Sequence, residues 1–286
     1  MTVNCKSPLV LVSGKVRAPG FFRFLEPDRL SPRDVVRVLC GEVAGCLFRR
    51  AIDPAVCHRI AQNFWLHPMR RRRHDNVPAY FLGTYHYRKP LDEYFDEAAA
   101  HHDALREVFD GCDNVFEGVM SSVASVLAED GVVMRVAEHE GRSASEFVMR
   151  SWCGPGRFSL EPHEDGAQLT FALQRDFEIQ RVATSPVVAI NMCLENPGAG
   201  ELHYWNIEPD AESRGRLGLQ ETGYPYPLEA LEGMDKLVIP VHPGDVYFFN
   251  GRHVHAVAAL ESLVGYRSTI SSLMGFVDRR TVIYWS

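Results

Sequence analysis

After Gly131 the chain changes texture, and this change restricts the possible folds more than any other feature. Short runs rich in Val, Ile, Phe, Tyr and Trp follow one another, punctuated by glycine and proline. They predict strands over 132–136, 147–152, 169–173, 187–194, 201–205, 236–241, 245–249, 254–258 and 266–274. Eight or so short antiparallel strands of this kind suggest a double-sheet jelly roll. Residues 211–231, carrying Gly223-Tyr224-Pro225-Tyr226-Pro227, are too many for a simple hairpin and are expected to form a functional lid or an ordered surface loop.

The first part of the chain reads differently. Ser31-Pro32 and Asp53-Pro54 each place a capping side chain before a proline at the first helical position. Val56, Ile60, Ala61 and Phe64 then give the second helix an apolar stripe. A helical pattern over 91–127 is broken near 111–114, which predicts two helices. Short strands are expected over 9–12 and 21–24. The expected organisation is a single domain that is mainly β with flanking helices, residues 1–130 forming a helix-rich support region and 131–286 the catalytic core.

Three features of that region invite functional readings. Arg70 to Arg73 form an unbroken cationic run, read as a solvated loop rather than an anion grip because no aromatic interrupts it. The aromatic stretch 80–88 reads as one wall of a substrate pocket, with Tyr85, Tyr87 or Arg88 reaching in, or as packing on an edge strand. His101 and His102 are adjacent, so on a helix they point about 100° apart. They are expected on the surface rather than on one metal.

Charge and cysteine usage narrow the setting. The 286 residues carry a net charge of −7, which argues against broad nucleic-acid binding. Seven cysteines, without a C-x-x-C pair, read as reduced thiols. No stretch reaches the length of a membrane span. A soluble, cytoplasmic protein with no nucleic-acid or membrane partner is expected.

The chemistry concentrates in Pro162-His163-Glu164-Asp165, answered by Asn250-Gly251-Arg252-His253-Val254-His255 and by Arg267-Ser268-Thr269. On a strand, residues two apart share a face, so His163 and Asp165 point together while Glu164 points away. One distant histidine would complete two imidazoles and a carboxylate, the set that binds non-haem Fe(II) and leaves positions open for cosubstrate and oxygen. His253 and His255 share a strand face, so alternation does not choose between them. An arginine followed by hydroxyl residues suits a carboxylate.

The order H-x-D, a long gap, His-Ala-Val and Arg-Ser-Thr resembles the Fe(II)/2-oxoglutarate-dependent dioxygenase superfamily over residues 132–276. The resemblance implies a double-stranded β-helix of the cupin-like kind, with His163, Asp165 and His255 as iron ligands and His253 either supporting them or lining the pocket. It implies Fe(II), 2-oxoglutarate and O2 as cofactor and cosubstrates, with Arg267, and Thr269 beside it, on the distal carboxylate of 2-oxoglutarate. In the halogenating branch of this superfamily a small residue replaces the acidic ligand; Asp165 favours hydroxylation. Asn191, and more weakly Gln168, are candidates for hydrogen bonding inside the barrel. Arg150 and Trp152 share a strand face just ahead of the H-x-D and are candidates for substrate or cosubstrate contact, with Tyr87 and Arg88. His203 and His242 read as packing or pocket residues.

The expected function is hydroxylation of an unactivated C–H bond in a small molecule, a free amino acid or a natural-product intermediate. Desaturation or cyclisation would start from the same centre. A cupin-like metal- or ligand-binding protein that is not an oxygenase would have no need of Arg267-Ser268-Thr269. An oxygenase acting on protein side chains would show an open groove instead of an enclosed pocket.

Overall fold

The computed structural model describes residues 11–73, 79–154, 156–261 and 265–286, with Ala183 as backbone only. Part of the expected 9–12 strand, Cys5 and His74 lie outside the described residues.

Two sheets carry the fold. Among the described residues the larger has ten strands. Its centre is Val188–Glu195, paired antiparallel with Val246–Asn250 on one side and Arg267–Asp278 on the other. Val148–Trp152 and Ala79–Leu82 extend it beyond Arg267–Asp278. The smaller sheet has four strands in the order Phe158–His163, His255–Ala258, Leu202–Trp205, Lys236–Ile239.

The period of a strand explains how the large sheet is covered on both faces. Val188, Ile190, Met192 and Leu194 point outward into an apolar cluster with helices Pro32–Leu39, Pro54–Leu66 and Val115–Glu129. Ala189 and Cys193 point the other way and pack with Leu202, Tyr204 and Ile239 of the small sheet. The alternation therefore separates a helix-covered face from a face turned to the second sheet. Capping sets the helix starts: Asp53 accepts from Ala55 N at 2.7 Å and Asn114 from Glu117 N at 3.0 Å. Leu91–Glu107 is the remaining long helix, and the break near 111–114 falls between it and Val115–Glu129.

Several expectations need correction. Residues 169–173 form 3₁₀ turns, Ala167–Thr170 and Ala172–Gln174, instead of a strand. A five-residue apolar run has no periodicity that distinguishes strand from turn, and Leu173 is exposed. The strands Gly45–Phe48 and Thr281–Trp285 were not anticipated, and both join the large sheet. His101 is buried and its ring bonds Glu97 O, while His102 is exposed. The arginine run is not simply a solvated loop. Arg71–Arg72 is a short strand, Arg70 lies over the rings of Trp65 and Tyr80 at 5.0 and 5.4 Å, and Arg71 pairs with Glu97. The aromatic partners come from elsewhere in the chain, where a local reading does not look.

Residues 211–231 are ordered by their own elements: helix Ala211–Leu217, capped by Asp210 and ended by left-handed Gly218, and a 3₁₀ turn over Leu228–Leu231. Glu164 N donates to Gly223 O, and Tyr226 N to Pro162 O, so the segment is tied to the H-x-D motif. No helix among the described residues is long and apolar enough to cross a membrane.

Candidate active site

A cavity opens between the two sheets. His163, Asp165, His255, Arg150, Arg267 and Asn191 all line it. The small sheet brings two histidines together by register: His163 is the cross-strand partner of His255, with ring centroids 4.1 Å apart. The strand ends at His163, and Asp165 is placed by a bond from its N–H to Gly251 O at 2.7 Å. Gly251 has to be glycine for this approach, since a Cβ there would lie 2.1 Å from Asp165 Oδ2. The possible ligand atoms of His163, Asp165 and His255 all lie within 4.8 Å of one another.

Hydrogen bonding settles which ring nitrogens face the centre. His163 Nδ1 lies 2.8 Å from Glu161 O and His255 Nδ1 lies 2.9 Å from His253 O. A carbonyl oxygen only accepts, so each Nδ1 carries the proton and each Nε2 keeps a lone pair for a metal. Burial, reinforced by the neighbouring His255, lowers the His163 pKa to about 3, and burial lowers that of His255 to about 4. Both rings are neutral at pH 7, the form that ligates. Burial raises the Asp165 pKa, opposed by His163, Arg150 and a 3.0 Å bond from Gln168 Nε2.

Glu164 lies just past the end of the strand, with its carboxylate held by partners outside the triad. It accepts from the backbone N–H groups of Gly166 and Ala167 and pairs with Arg214 at 3.2 Å. Its ion pair draws helix Ala211–Leu217 to the motif, and Tyr224 from the same 211–231 segment packs edge-on to His163. His253 is not a pocket residue. Only His255 opens the strand, so the two do not alternate on one face. His253 is fully buried beside Phe21, Phe22 and Tyr204, with Nε2 3.2 Å from Glu208. His242 is exposed near Asp245, and His203 packs edge-on to Phe158.

The large sheet supplies the cations. Arg267 is 1% exposed, donates to Tyr247 Oη at 2.9 Å, and has no partner for its Nε. Among the described residues it makes no salt bridge. Arg150 lies over the Trp152 ring at 5.3 Å, and its Nε is also unpartnered. Burial lowers the Arg150 pKa to about 10, so it stays charged at neutral pH. Buried guanidinium nitrogens without an acceptor are costly, which fits a cavity shaped for anionic ligands. Asn191 faces Tyr247 on one side and Ser271 on the other, and accepts from Ser271 Oγ at 2.9 Å.

Two candidates are displaced. Thr269 is fully buried with its hydroxyl 3.1 Å from that of Ser271, and it is absent from the cavity wall. It is shorter than the Arg150 and Arg267 side chains beside it. Arg88 is exposed and outside the wall, in a turn with left-handed backbone (φ 57°) beyond the end of strand Ala79–Leu82. Tyr85 and Tyr87 do line the cavity. Local reading missed Arg73, His86, Tyr224, Tyr247 and Ser271 as lining residues. Ser271 was findable, since it continues the Arg267 alternation; the others depend on chain packing.

Comparison with known proteins agrees with this geometry. The family described as carrier-protein-independent halogenase WelO5 matches residues 46–286. An L-isoleucine 3(1)-dioxygenase of Pantoea ananatis is 30% identical over 250 residues, covering 84% of this chain and 82% of that protein. In fold, the chain is similar to an N-substituted L-amino acid dioxygenase of Burkholderia ambifaria, with TM-score 0.57, 14% identity, and 89% and 91% of the two chains covered. The same enzyme in complex with α-ketoglutarate gives TM-score 0.54 at 15% identity and the same coverage. The family's description names a halogenase, yet this chain keeps a carboxylate where halogenation needs room for chloride. The chain therefore belongs to the WelO5 family and is an Fe(II)- and 2-oxoglutarate-dependent dioxygenase of the hydroxylase type.

Proposed function

We propose that this oxygenase hydroxylates an unactivated C–H bond of a free amino acid, with His163, Asp165 and His255 holding the iron and Arg267 the distal carboxylate of 2-oxoglutarate. One observation carries the reading: the three possible ligands and a buried arginine without an acidic partner line the same cavity. When bound, iron and 2-oxoglutarate supply the oxidising chemistry for dioxygen-dependent hydroxylation.

The chain's own residues hold and orient. Gln168 occupies Asp165 Oδ1, leaving Oδ2 turned toward His255 Nε2 at 3.6 Å. The Nδ1–H bonds of the two histidines fix their rings. Arg267, steadied by Tyr247, meets the cosubstrate as a planar fork. Asn191, whose Oδ1 is taken by Ser271, offers its amide N–H groups. Arg150, resting on Trp152, receives the substrate's carboxylate, and Tyr87 lines the same space. The free-amino-acid substrate is supported by the L-isoleucine enzyme's similarity along most of both chains. A cytoplasmic setting suits the cysteines among the described residues, which are free thiols.

Anaerobic titration with Fe(II) and then 2-oxoglutarate tests the site through the weak visible charge-transfer band of the chelate. The band should be lost in Asp165→Ala and weakened in Arg267→Ala. Iron binding without the band in the native protein would remove the cosubstrate role of Arg267. A screen of amino acids, L-isoleucine first, should then find one that stimulates succinate release. Stimulation by none of them would remove the substrate class.

A further inference from the structure

His86 is a buried wall residue of the cavity that the reading above does not use. It is 2% exposed, and its ring sits edge-on to Tyr94 and Trp285, with centroids 6.4 Å from each. Gln174, from the 3₁₀ turn Ala172–Gln174, determines its tautomer. The Gln174 amide nitrogen donates to two carbonyls, His86 O at 2.5 Å and Lys89 O at 2.9 Å. Its Oε1 is therefore the atom 3.0 Å from His86 Nδ1, and an amide oxygen only accepts. Nδ1 carries the proton, and Nε2 is left as a lone-pair acceptor. That Nε2 is buried and has no partner among the described residues. Burial also holds the His86 pKa down at about 4, keeping the ring neutral.

The cavity needs such an acceptor. Arg73, Arg150 and Arg267 line it, so carboxylates are well served. Among the described lining residues the acidic side chains are Asp165 and Glu164; the main-chain oxygen of Ser286, also on the wall, already accepts from His86 N and Tyr94 Oη. Asp165 belongs to the triad, and Glu164 is taken by two backbone N–H groups and Arg214. Neither is left for an ammonium group. A buried acceptor without a donor is costly unless a ligand supplies one.

We propose that His86 Nε2 accepts a hydrogen bond from the α-ammonium group of the substrate, and that His86, held by Gln174, selects amino acids over the corresponding carboxylic acids. The inference rests on the free-amino-acid reading. Trp285 Nε1 is likewise unpartnered, so a trapped water between the two rings is the competing account.

The test uses the full chain loaded with Zn(II), which is diamagnetic, and 2-oxoglutarate. Histidine ¹⁵N spectra are recorded with L-isoleucine, with the other common amino acids and with 3-methylpentanoate, which lacks the amine. His86→Gln and Gln174→Leu supply the assignment. The expected result is an Nδ1–H tautomer whose Nε2 resonance moves with the amino acid and not with 3-methylpentanoate. In His86→Phe, the preference for L-isoleucine over 3-methylpentanoate in binding should fall roughly 10- to 100-fold, with 2-oxoglutarate affinity unchanged. An Nε2–H tautomer overturns the proposal. So does an Nε2 resonance that stays still while other resonances report amino-acid binding, and the substrate reading then survives. If no amino acid perturbs any resonance, the substrate reading fails and this inference falls with it.

Discussion

The two sheets furnish the cavity in opposite ways. On the small sheet every polar group of the metal centre is backed from inside the protein: Nδ1 of His163 and of His255 by carbonyls, Asp165 by Gln168 and the Gly251 carbonyl. On the large sheet Arg267 is buried and Arg150 half-buried, and the Nε atom of each is buried with no partner among the described residues. The first set is complete apart from the ion. The second is, under the proposed function, the set that ligands complete, at a cost to the free protein. Site organisation here follows from which groups are satisfied before anything binds.

Removing a member of the finished set should have the largest effect. Asp165→Ala should weaken metal binding by more than the roughly 10- to 100-fold expected for loss of a mere supporting contact, measured by Fe(II) titration, and should abolish turnover. Metal affinity within a few-fold of native would end the assignment of Asp165. Arg267→Met should leave metal affinity unchanged and raise the dissociation constant of 2-oxoglutarate by about 30-fold or more, the scale of losing a buried charged partner. Without 2-oxoglutarate the same variant should melt at an equal or higher temperature, because an unpaired charge is gone. A sharp fall in that melting temperature would show the charge already satisfied in the free protein, and the contrast between the sheets would collapse.

Smaller effects sharpen the comparison. Gly251→Ala forces a Cβ against Asp165 Oδ2, so metal affinity should drop about tenfold with 2-oxoglutarate binding affected only through the metal. Glu97 offers a paired contrast to the orphaned arginines. Burial raises its pKa, but bonds from Lys89 and Thr84 outweigh this and hold it at about 2, below its ordinary 4.5. A folded-state pKa below the unfolded one means stability present above pH 4.5 and lost as pH falls toward 2. Glu97→Gln should flatten that loss, read from urea melts at the two ends of the window. Arg88→Ala, outside the cavity, should change turnover by less than about twofold.

Legibility followed the range of the signal. H-x-D, His-Ala-Val and Arg-Ser-Thr are short-range motifs, and the structure brings them to one cavity with Arg150, Trp152 and Asn191. Proline with a capping side chain marks two helix starts, whereas Glu164 is turned from the triad by its own partners beyond the strand that ends at His163. Alternation failed where the strand it assumed was absent. His253 lies ahead of the strand that His255 begins, and Arg88 sits on a left-handed residue. Gln174 follows a stretch whose composition predicts a strand but which forms 3₁₀ turns, so the tautomer of His86 is not legible in the sequence.

The residues themselves determined the chemistry: two imidazoles and a carboxylate at recognisable spacing, an arginine followed by two hydroxyl residues, and a β-rich half with helices in support. Those properties are carried by side-chain type and by periods of a few residues. Packing alone decided which polar groups would be left without partners. Whether Arg150, Arg267 and His86 are satisfied depends on atoms from distant strands and turns, and that depends on how two sheets close on one cavity.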